Sequence, residues 1–204
     1  MELIPLGNSF NFLELKDELN TINQKYNCIH FDVSDGYYKP YVGLSQDIIK
    51  IIRKNTNLNI GIHLRVFNPY EIYKSYIRVG VDHIIVDYKC FKTSDDCLRF
   101  INKVKRFYVK VGIAIDINQE ILNFEEIIAN IDYILINNEN SQNDDLYELQ
   151  AKIAKFKYLR AEYGLKYQIL CEGDINEQNV HKIVEAGSQL VVVNLKDFTR
   201  KTAI

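Results

Sequence analysis

Short apolar runs alternate with amphipathic segments along the chain, and this alternation limits the folds that it can adopt. The runs are rich in β-branched residues, which favour strands. They lie near residues 2–5, 27–33, 58–63, 82–87, 108–115, 132–137, 167–172 and 189–194. Segments between them, such as 46–53 and 146–163, repeat their apolar residues with the period of a helix. Strands and helices that alternate in this way predict βαβ units and a parallel sheet covered by helices.

Two α/β architectures fit this pattern, a closed (β/α)8 TIM barrel and an open, doubly wound sheet. A dinucleotide-binding open sheet would normally carry a glycine-rich turn after its first strand, but this chain has Leu6-Gly7-Asn8-Ser9 there. We therefore predict a TIM barrel, with residues 1–204 forming a single domain. Because only residues 195–204 follow the last predicted strand, we expect a shortened or missing last helix. A homodimer in which a second subunit covers that side is also expected.

Composition and charge exclude several classes of partner. The chain has 25 Lys and Arg against 27 Asp and Glu, a balance that argues against a nucleic-acid partner. No apolar run approaches the ~20 residues that a membrane span needs, so we expect no membrane partner. The N-terminal residues do not resemble a signal peptide, which predicts a cytoplasmic protein. The 4 cysteines lack the CxxC spacing and are expected to be free thiols.

Four potential metal ligands stand at the ends of predicted strands. His30 and Asp32 end the second strand, and residues two apart on a strand point to the same face. His63 ends the third strand and Glu172 the seventh. In a parallel barrel these strand ends share one rim, where functional residues collect. Imidazole and carboxylate together predict a site for a divalent metal cation: zinc, iron, manganese or cobalt. The alternative for either histidine alone is a hydrogen-bonded packing residue.

The segment from Ile29 to Pro40 reads IHFDVSDGYYKP and resembles the H-x-D-V-M-D-G-x-x-V-P signature of ribulose-phosphate 3-epimerases. Further resemblances follow in the same order along nearly the whole chain. They are Pro5, Ser9 and Phe12 (P-S-x-x-S-x-D-F), His63-Leu64 with Asn68-Pro69 (H-L-M-x-x-x-P), Gly112-Ile113-Ala114 (G-x-A-x-N-P) and Glu172-Gly173-Asp174-Ile175 (D-G-G-I).

The resemblance implies a TIM barrel that epimerises a ketose phosphate at the carbon beside the ketone. It implies that His30, Asp32, His63 and Glu172 hold the metal, and that Asp32 and Glu172 are also the catalytic acid–base pair. Ser9 matches a serine that contacts substrate. A proton next to a ketone is too weakly acidic for a carboxylate alone, so the cation must stabilise the negative oxygen of the enediolate. Inversion then needs one acid on each face of the substrate.

The chain departs from the family where the family binds phosphate. The glycine-rich loop after the sixth strand is NSQNDD here, at residues 140–145. Gly173-Asp174 follows the seventh strand, and Asn194-Leu195 replaces a G-S pair after the eighth. Backbone amides at such positions hold anions, and the acidic side chains oppose this. We expect no phosphate in the usual place. The alternative is a loop that has diverged in sequence and still binds phosphate through other backbone amides.

The family's apolar cap over the reacting carbons is also replaced. Three methionine positions carry Ser34, Arg65 and Asn137, which predicts a more polar ligand or a changed binding direction. Arg65 could hold a carboxylate or phosphate with its planar fork; the alternative is that it turns outward and pairs with a loop acid. Asp87 and Asp116 replace the usual His and Asn at the ends of strands four and five.

These observations predict a metal-dependent carbohydrate epimerase, an isomerase that inverts the carbon next to a ketone through an enediolate. The expected partner is a small-molecule sugar, a ketose or ketose phosphate other than ribulose 5-phosphate. Two alternatives stay open, a metal-dependent lyase (aldolase or decarboxylase) and a non-catalytic sugar-binding relative. The predicted substrate-binding residues are Ser9, Ser34, Arg65, Asn137, Gly173 and Asn194.

Overall fold

Eight parallel strands form the sheet in a computed structural model that describes residues 1–119, 124–139 and 145–198. The strands are β1 (Glu2–Pro5), β2 (Cys28–Ser34), β3 (Asn59–Arg65), β4 (His83–Asp87), β5 (Lys110–Asp116), β6 (Tyr133–Asn138), β7 (Gln168–Gly173) and β8 (Leu190–Val193). Their order is β1-β8-β7-β6-β5-β4-β3-β2, so consecutive strands lie side by side, as βαβ connections place them.

Helices alternate with the strands. They are α1 (Leu15–Asn23), α2 (Gln46–Asn55), α3 (Pro69–Arg78), α4 (Ser94–Lys105), α5 (Glu125–Ala129), α6 (Asp145–Glu162), α7 (Val180–Ala186) and α8 (Leu195–Phe198). The predicted TIM barrel is confirmed, and so is its shortened last helix, since α8 has 4 residues. The single domain over residues 1–204 and the homodimer stay predictions. No described helix is long and apolar enough to cross a membrane.

Alternating side chains divide the core into two layers. In β6, Ile134 and Ile136 pack in the cluster that includes the helices, whereas Leu135 packs with Ile85 and Leu170 in a separate smaller cluster. The period of two along each strand produces this division, with one set of side chains facing outward and the other filling the barrel. The interior is therefore packed below the rim where the polar residues lie.

The inward positions change from apolar to polar at the carboxyl ends of the strands. The polar side chains buried there are Asp32, Ser34, Arg65, Asp87, Asn137 and Glu172. Because polar groups are costly to bury without partners, a polar layer of this kind marks the functional end of the barrel.

The side chain of Asn8, which follows β1, bonds to β2 where the barrel closes. The two strands are joined by a single parallel bridge from Leu6 to His30. Beyond it, the Asn8 side-chain amide donates to the Asp32 carbonyl oxygen at 2.9 Å, and the Asp32 amide donates to Asn8 Oδ1 at 2.7 Å. The Asn8 amide thus extends the hydrogen bonding of the seam and holds the backbone of Asp32.

The loop after β2 folds back over the rim and is anchored by Asp35. Asp35 Oδ1 accepts from the amides of Tyr37 and Tyr38, each at 2.9 Å, and Oδ2 accepts from the Phe67 amide at 2.6 Å. Partial burial opposes ionisation of Asp35, but the amides of Tyr38, Phe67 and Tyr37 outweigh it and lower its pKa. One carboxylate therefore ties the β2 loop to the β3 loop.

Asn8→Ala should lower the free energy of unfolding by about 1–3 kcal/mol, because it removes both bonds across the seam and leaves the partly buried Asp32 groups unpaired. Urea unfolding followed by circular dichroism measures the change. Asn55→Ala is the control, since it removes an exposed bond within a helix. Equal losses in the two variants would contradict the role given to Asn8.

Asp35→Asn should remove a pH-dependent part of the stability. Because the pKa of Asp35 is lowered from about 3.9 in the unfolded chain, its contribution is complete above that value and lost as pH falls through the folded pKa. The difference in unfolding free energy between wild type and variant should therefore be constant from about pH 5 to 7 and shrink below about pH 4. Glu148→Gln, an exposed change on α6, is the control. A difference that grew on acidification would refute this account.

Candidate active site

The four predicted metal ligands meet inside the carboxyl end of the barrel. One ligand atom from each of His30, Asp32, His63 and Glu172 lies within 4.8 Å of the others. Asp32 and His63 are register partners on β2 and β3, which explains their approach. His30 Nε2 lies 3.8 Å from Asp32 Oδ1 and 3.6 Å from Glu172 Oε2. His63 Nδ1 lies 3.5 Å from Asp32 Oδ1 and 3.4 Å from Glu172 Oε2.

These distances and atoms fit a divalent cation. Donors about 2.0–2.2 Å from a tetrahedral metal lie roughly 3.3–3.6 Å from one another, close to the separations seen here. The four facing atoms are buried and have no hydrogen-bond partner among the described residues. Unpaired buried polar atoms are rare because each loses its hydration. A single cation would satisfy all four.

The surroundings shift the pKa values of the two carboxyl groups in opposite directions. Burial alone would raise the pKa of Asp32, but His63, His30 and Arg65 hold it well below its usual range. Burial raises the pKa of Glu172, and the negative charge of Asp32 adds to this. Two carboxyl groups whose pKa values are pushed apart are typical of an acid–base pair.

The pKa values of the two imidazoles are also shifted in opposite directions. Burial lowers the pKa of His30 to about 4, which keeps it in the neutral form that binds metal. Burial would also lower the pKa of His63, but the charge of Asp87 and the contacts with Asp32 and Glu172 raise it well above its usual value. A cation at the centre would thus compete with a proton for His63.

Asp87 supports His63 from behind. Its Oδ2 lies 3.3 Å from His63 Nε2, while Nδ1 faces the centre. A carboxylate on the far nitrogen fixes the orientation of a ligating imidazole and increases its basicity. The sequence analysis noted Asp87 only as a replacement. Asp87 stands two residues after Ile85, the register partner of His63, and therefore points inward near that histidine. This spacing is the signal that could have assigned the role.

Arg65 points into the barrel and is fully buried, so the outward alternative does not describe this structure. Its Nη1 lies 3.2 Å from Asp32 Oδ2 and 3.3 Å from the Tyr41 hydroxyl. Both terminal nitrogens donate to the carboxylate of Glu139, just beyond β6. Sequence reasoning missed Glu139, although it stands two residues after the inward Asn137. The fork of Arg65 is thus held by acids of the protein itself.

The remaining predicted substrate-binding residues lie around the same rim. Ser34 is the register partner of Arg65, and Asn137 is that of Glu172. Ser9 donates through its hydroxyl to the Leu6 carbonyl oxygen at 2.7 Å. Gly173 and Asn194 line a cavity that Glu172 also borders. Residues 140–144 of the replaced phosphate loop lie outside the described residues.

Asp87→Asn should weaken binding of Zn²⁺ by about 10- to 100-fold, because the amide keeps the shape of the side chain but removes the charge behind His63. Competition with a chromophoric chelator measures the affinity, and circular dichroism checks the fold. Asp116→Asn is the matched control, since Asp116 ends the next strand and pairs with Lys89. If both variants bound Zn²⁺ equally well, Asp87 would have no orienting role.

Solved structures with related folds cover most of the chain. A mutant tryptophan synthase α-subunit from Pyrococcus furiosus matches with a TM-score of 0.66 and 14% identity, covering 95% of this chain and 86% of that one. N-(5'-phosphoribosyl)anthranilate isomerase from the same organism matches with a TM-score of 0.62 and 17% identity, covering 96% and 88%. At these identities the likeness concerns the fold alone.

The similarity to curated sequences identifies the family and not only the fold. The chain is 26% identical to the chloroplastic ribulose-5-phosphate-3-epimerase of Arabidopsis thaliana, over 95% of this chain and 70% of that protein. It is 24% identical to the ribulose-phosphate 3-epimerase of Bacillus subtilis (strain 168), over 90% and 86%. The model of the ribulose-phosphate 3 epimerase family matches residues 6–196. The chain therefore belongs to the ribulose-phosphate 3-epimerase family.

Proposed function

We propose that the protein is a divalent-metal-dependent 3-epimerase that inverts the carbon next to the ketone of a ketose other than ribulose 5-phosphate. As a member of this family it is an isomerase that acts on carbohydrates. The observation that carries the proposal is the convergence of two buried carboxyl groups, Asp32 and Glu172, with two imidazoles at one point inside the barrel. Zinc, iron, manganese and cobalt all suit these donors.

In this proposal, Asp32 and Glu172 transfer the protons. Asp32, held ionised, accepts the proton from the carbon beside the ketone. Glu172, which enters the centre from β7, donates a proton to the opposite side of the same carbon. In the reverse direction the two residues exchange roles. The cation, when bound, would supply the positive charge that stabilises the negative charge developing on the substrate oxygen.

Neighbouring residues hold Asp32, one member of the acid–base pair, in position. Asn8 fixes the backbone of Asp32, and Arg65 contacts the carboxylate oxygen of Asp32 that does not face the histidines. The Tyr41 hydroxyl contacts Arg65 from the loop above, which brings that loop over the rim. A covered site limits exchange of the abstracted proton with bulk water and strengthens the local electrostatics.

The metal-loaded protein should incorporate carbon-bound deuterium from D2O at the carbon next to the ketone of at least one ketose, with formation of the epimer. Asp32→Asn and Glu172→Gln should each lower this exchange by about 10²- to 10⁴-fold, since each removes one proton-transfer group. Proton NMR of a panel of ketoses and ketose phosphates measures it, and removal of the metal with a chelator should abolish it.

Asp116→Asn is the control for these variants, because Asp116 lies on the rim outside the four-ligand cluster and pairs with Lys89. A panel that shows no exchange with any compound would reject the epimerase proposal. Release of carbon dioxide or shorter fragments would instead indicate a lyase.

A further inference from the structure

A cavity of about 150 Å³ continues from the reacting centre toward the ends of β7 and β8. Glu172 forms part of its wall, and its Oε2 is buried without a hydrogen-bond partner among the described residues. The volume far exceeds the ~10–15 Å³ that one water needs, so several heavy atoms of a ligand can enter. The end of a ketose away from its reacting carbons would lie here.

Two backbone amides after β7, those of Ile175 and Asn176, are already engaged. The Ile175 amide donates to the Gly173 carbonyl oxygen at 2.7 Å, and the Asn176 amide donates to Asn179 Oδ1 at 2.8 Å. Backbone amides of this kind are what hold a phosphate at the end of a strand. These two cannot do so without giving up bonds within the protein.

The amides after β8 are engaged in the same way by Asn194. Its Oδ1 accepts from the Lys196 amide at 3.2 Å, and its carbonyl oxygen accepts from the Asp197 amide at 2.9 Å. The Asn194 side chain thus occupies one of these two donors, and its carbonyl oxygen occupies the other. This engagement could not be deduced from the loss of the G-S pair alone.

The charges around the cavity also disfavour an anion. Asp174 and Asp197 line it, as does Glu139, whose charge Arg65 and Lys39 balance. A phosphate carries about −1.5 to −2 charges at pH 7, and repulsion by carboxylates opposes its entry. A hydroxyl group, by contrast, donates a hydrogen bond to a carboxylate.

The cations recorded near the rim contact acceptors of the protein. Glu139 holds the fork of Arg65, and Lys39 Nζ lies 3.5 Å from Glu139 Oε2. Lys196 Nζ donates to the Ser9 carbonyl oxygen at 2.6 Å. An incoming phosphate would have to break one of these contacts to gain any of these three described cations as a partner.

We infer that the substrate is an unphosphorylated ketose whose hydroxylated end lies in this cavity and donates hydrogen bonds to Glu139 and Asp174. The inference rests on the proposed function, since it names the substrate class of that same site. Glu139 then has two roles, because it neutralises Arg65 and accepts from the sugar. Asp174 is the specificity residue that touches only the sugar end.

Matched pairs of substrates test the inference on the metal-loaded full chain. D-ribulose is compared with D-ribulose 5-phosphate, and D-fructose with D-fructose 6-phosphate, by deuterium incorporation from D2O. We expect kcat/KM to be at least about 10-fold higher for the free sugar of a pair. Asp174→Asn should lower kcat/KM for the free sugar by about 3- to 10-fold, mainly through KM, because a charged acceptor is lost. Asp47→Asn, an exposed acid in the first turn of α2, is the control and should change neither parameter.

The outcomes separate the two proposals. Exchange that is equal or faster with the phosphorylated sugars would overturn the inference and leave the epimerase proposal standing. Equal kinetics for Asp174→Asn and Asp47→Asn would overturn the role of Asp174. Absence of exchange with both members of every pair, and with the wider panel, would reject the epimerase proposal itself.

Discussion

The structure depends on four buried groups whose facing atoms have no hydrogen-bond partner among the described residues. Two imidazoles and two carboxyl groups, from His30, Asp32, His63 and Glu172, converge inside the barrel. Left alone, such groups would cost stability through lost hydration and through repulsion between the acids. A shared cation would offset this cost, and the surrounding residues hold the groups in place. Asp87 orients His63, and the backbone of Asp32 is fixed by the neighbouring seam.

Arg65 links this centre to the rim and makes the surroundings of the centre polar. One guanidinium contacts Asp32 at its inner side and Glu139 at its outer side, where an apolar cap is expected from the family resemblance. The positive charge favours the ionised form of Asp32, which the proton transfer needs. On the side of the rim, Glu139 neutralises the positive charge of Arg65. The four groups of the candidate metal centre are therefore present, while the rim around them is polar and acidic.

Much of this could be predicted from the sequence because it follows from local patterns. Runs of β-branched residues placed each strand within a few residues, and the spacing of His30 and Asp32 put them on one face. The role of Asp87 and the presence of Glu139 could not be deduced in this way. Each depends on which strands are neighbours and how far a side chain reaches across the barrel. Asn8 was likewise missed, because its bonds to Asp32 join residues 24 positions apart.

The sequence by itself determined the alternation of strands and helices, the family, the four groups of the reacting centre and the replacement of residues that bind phosphate. These properties follow from residue identity and from the short periods of strands and helices. Only the tertiary structure decided that Arg65 turns inward and is bound by Glu139, and that Asn194 occupies an amide after β8. The reason is physical: a charged or polar side chain has several possible partners, and only the folded chain decides which of them lies within hydrogen-bonding distance.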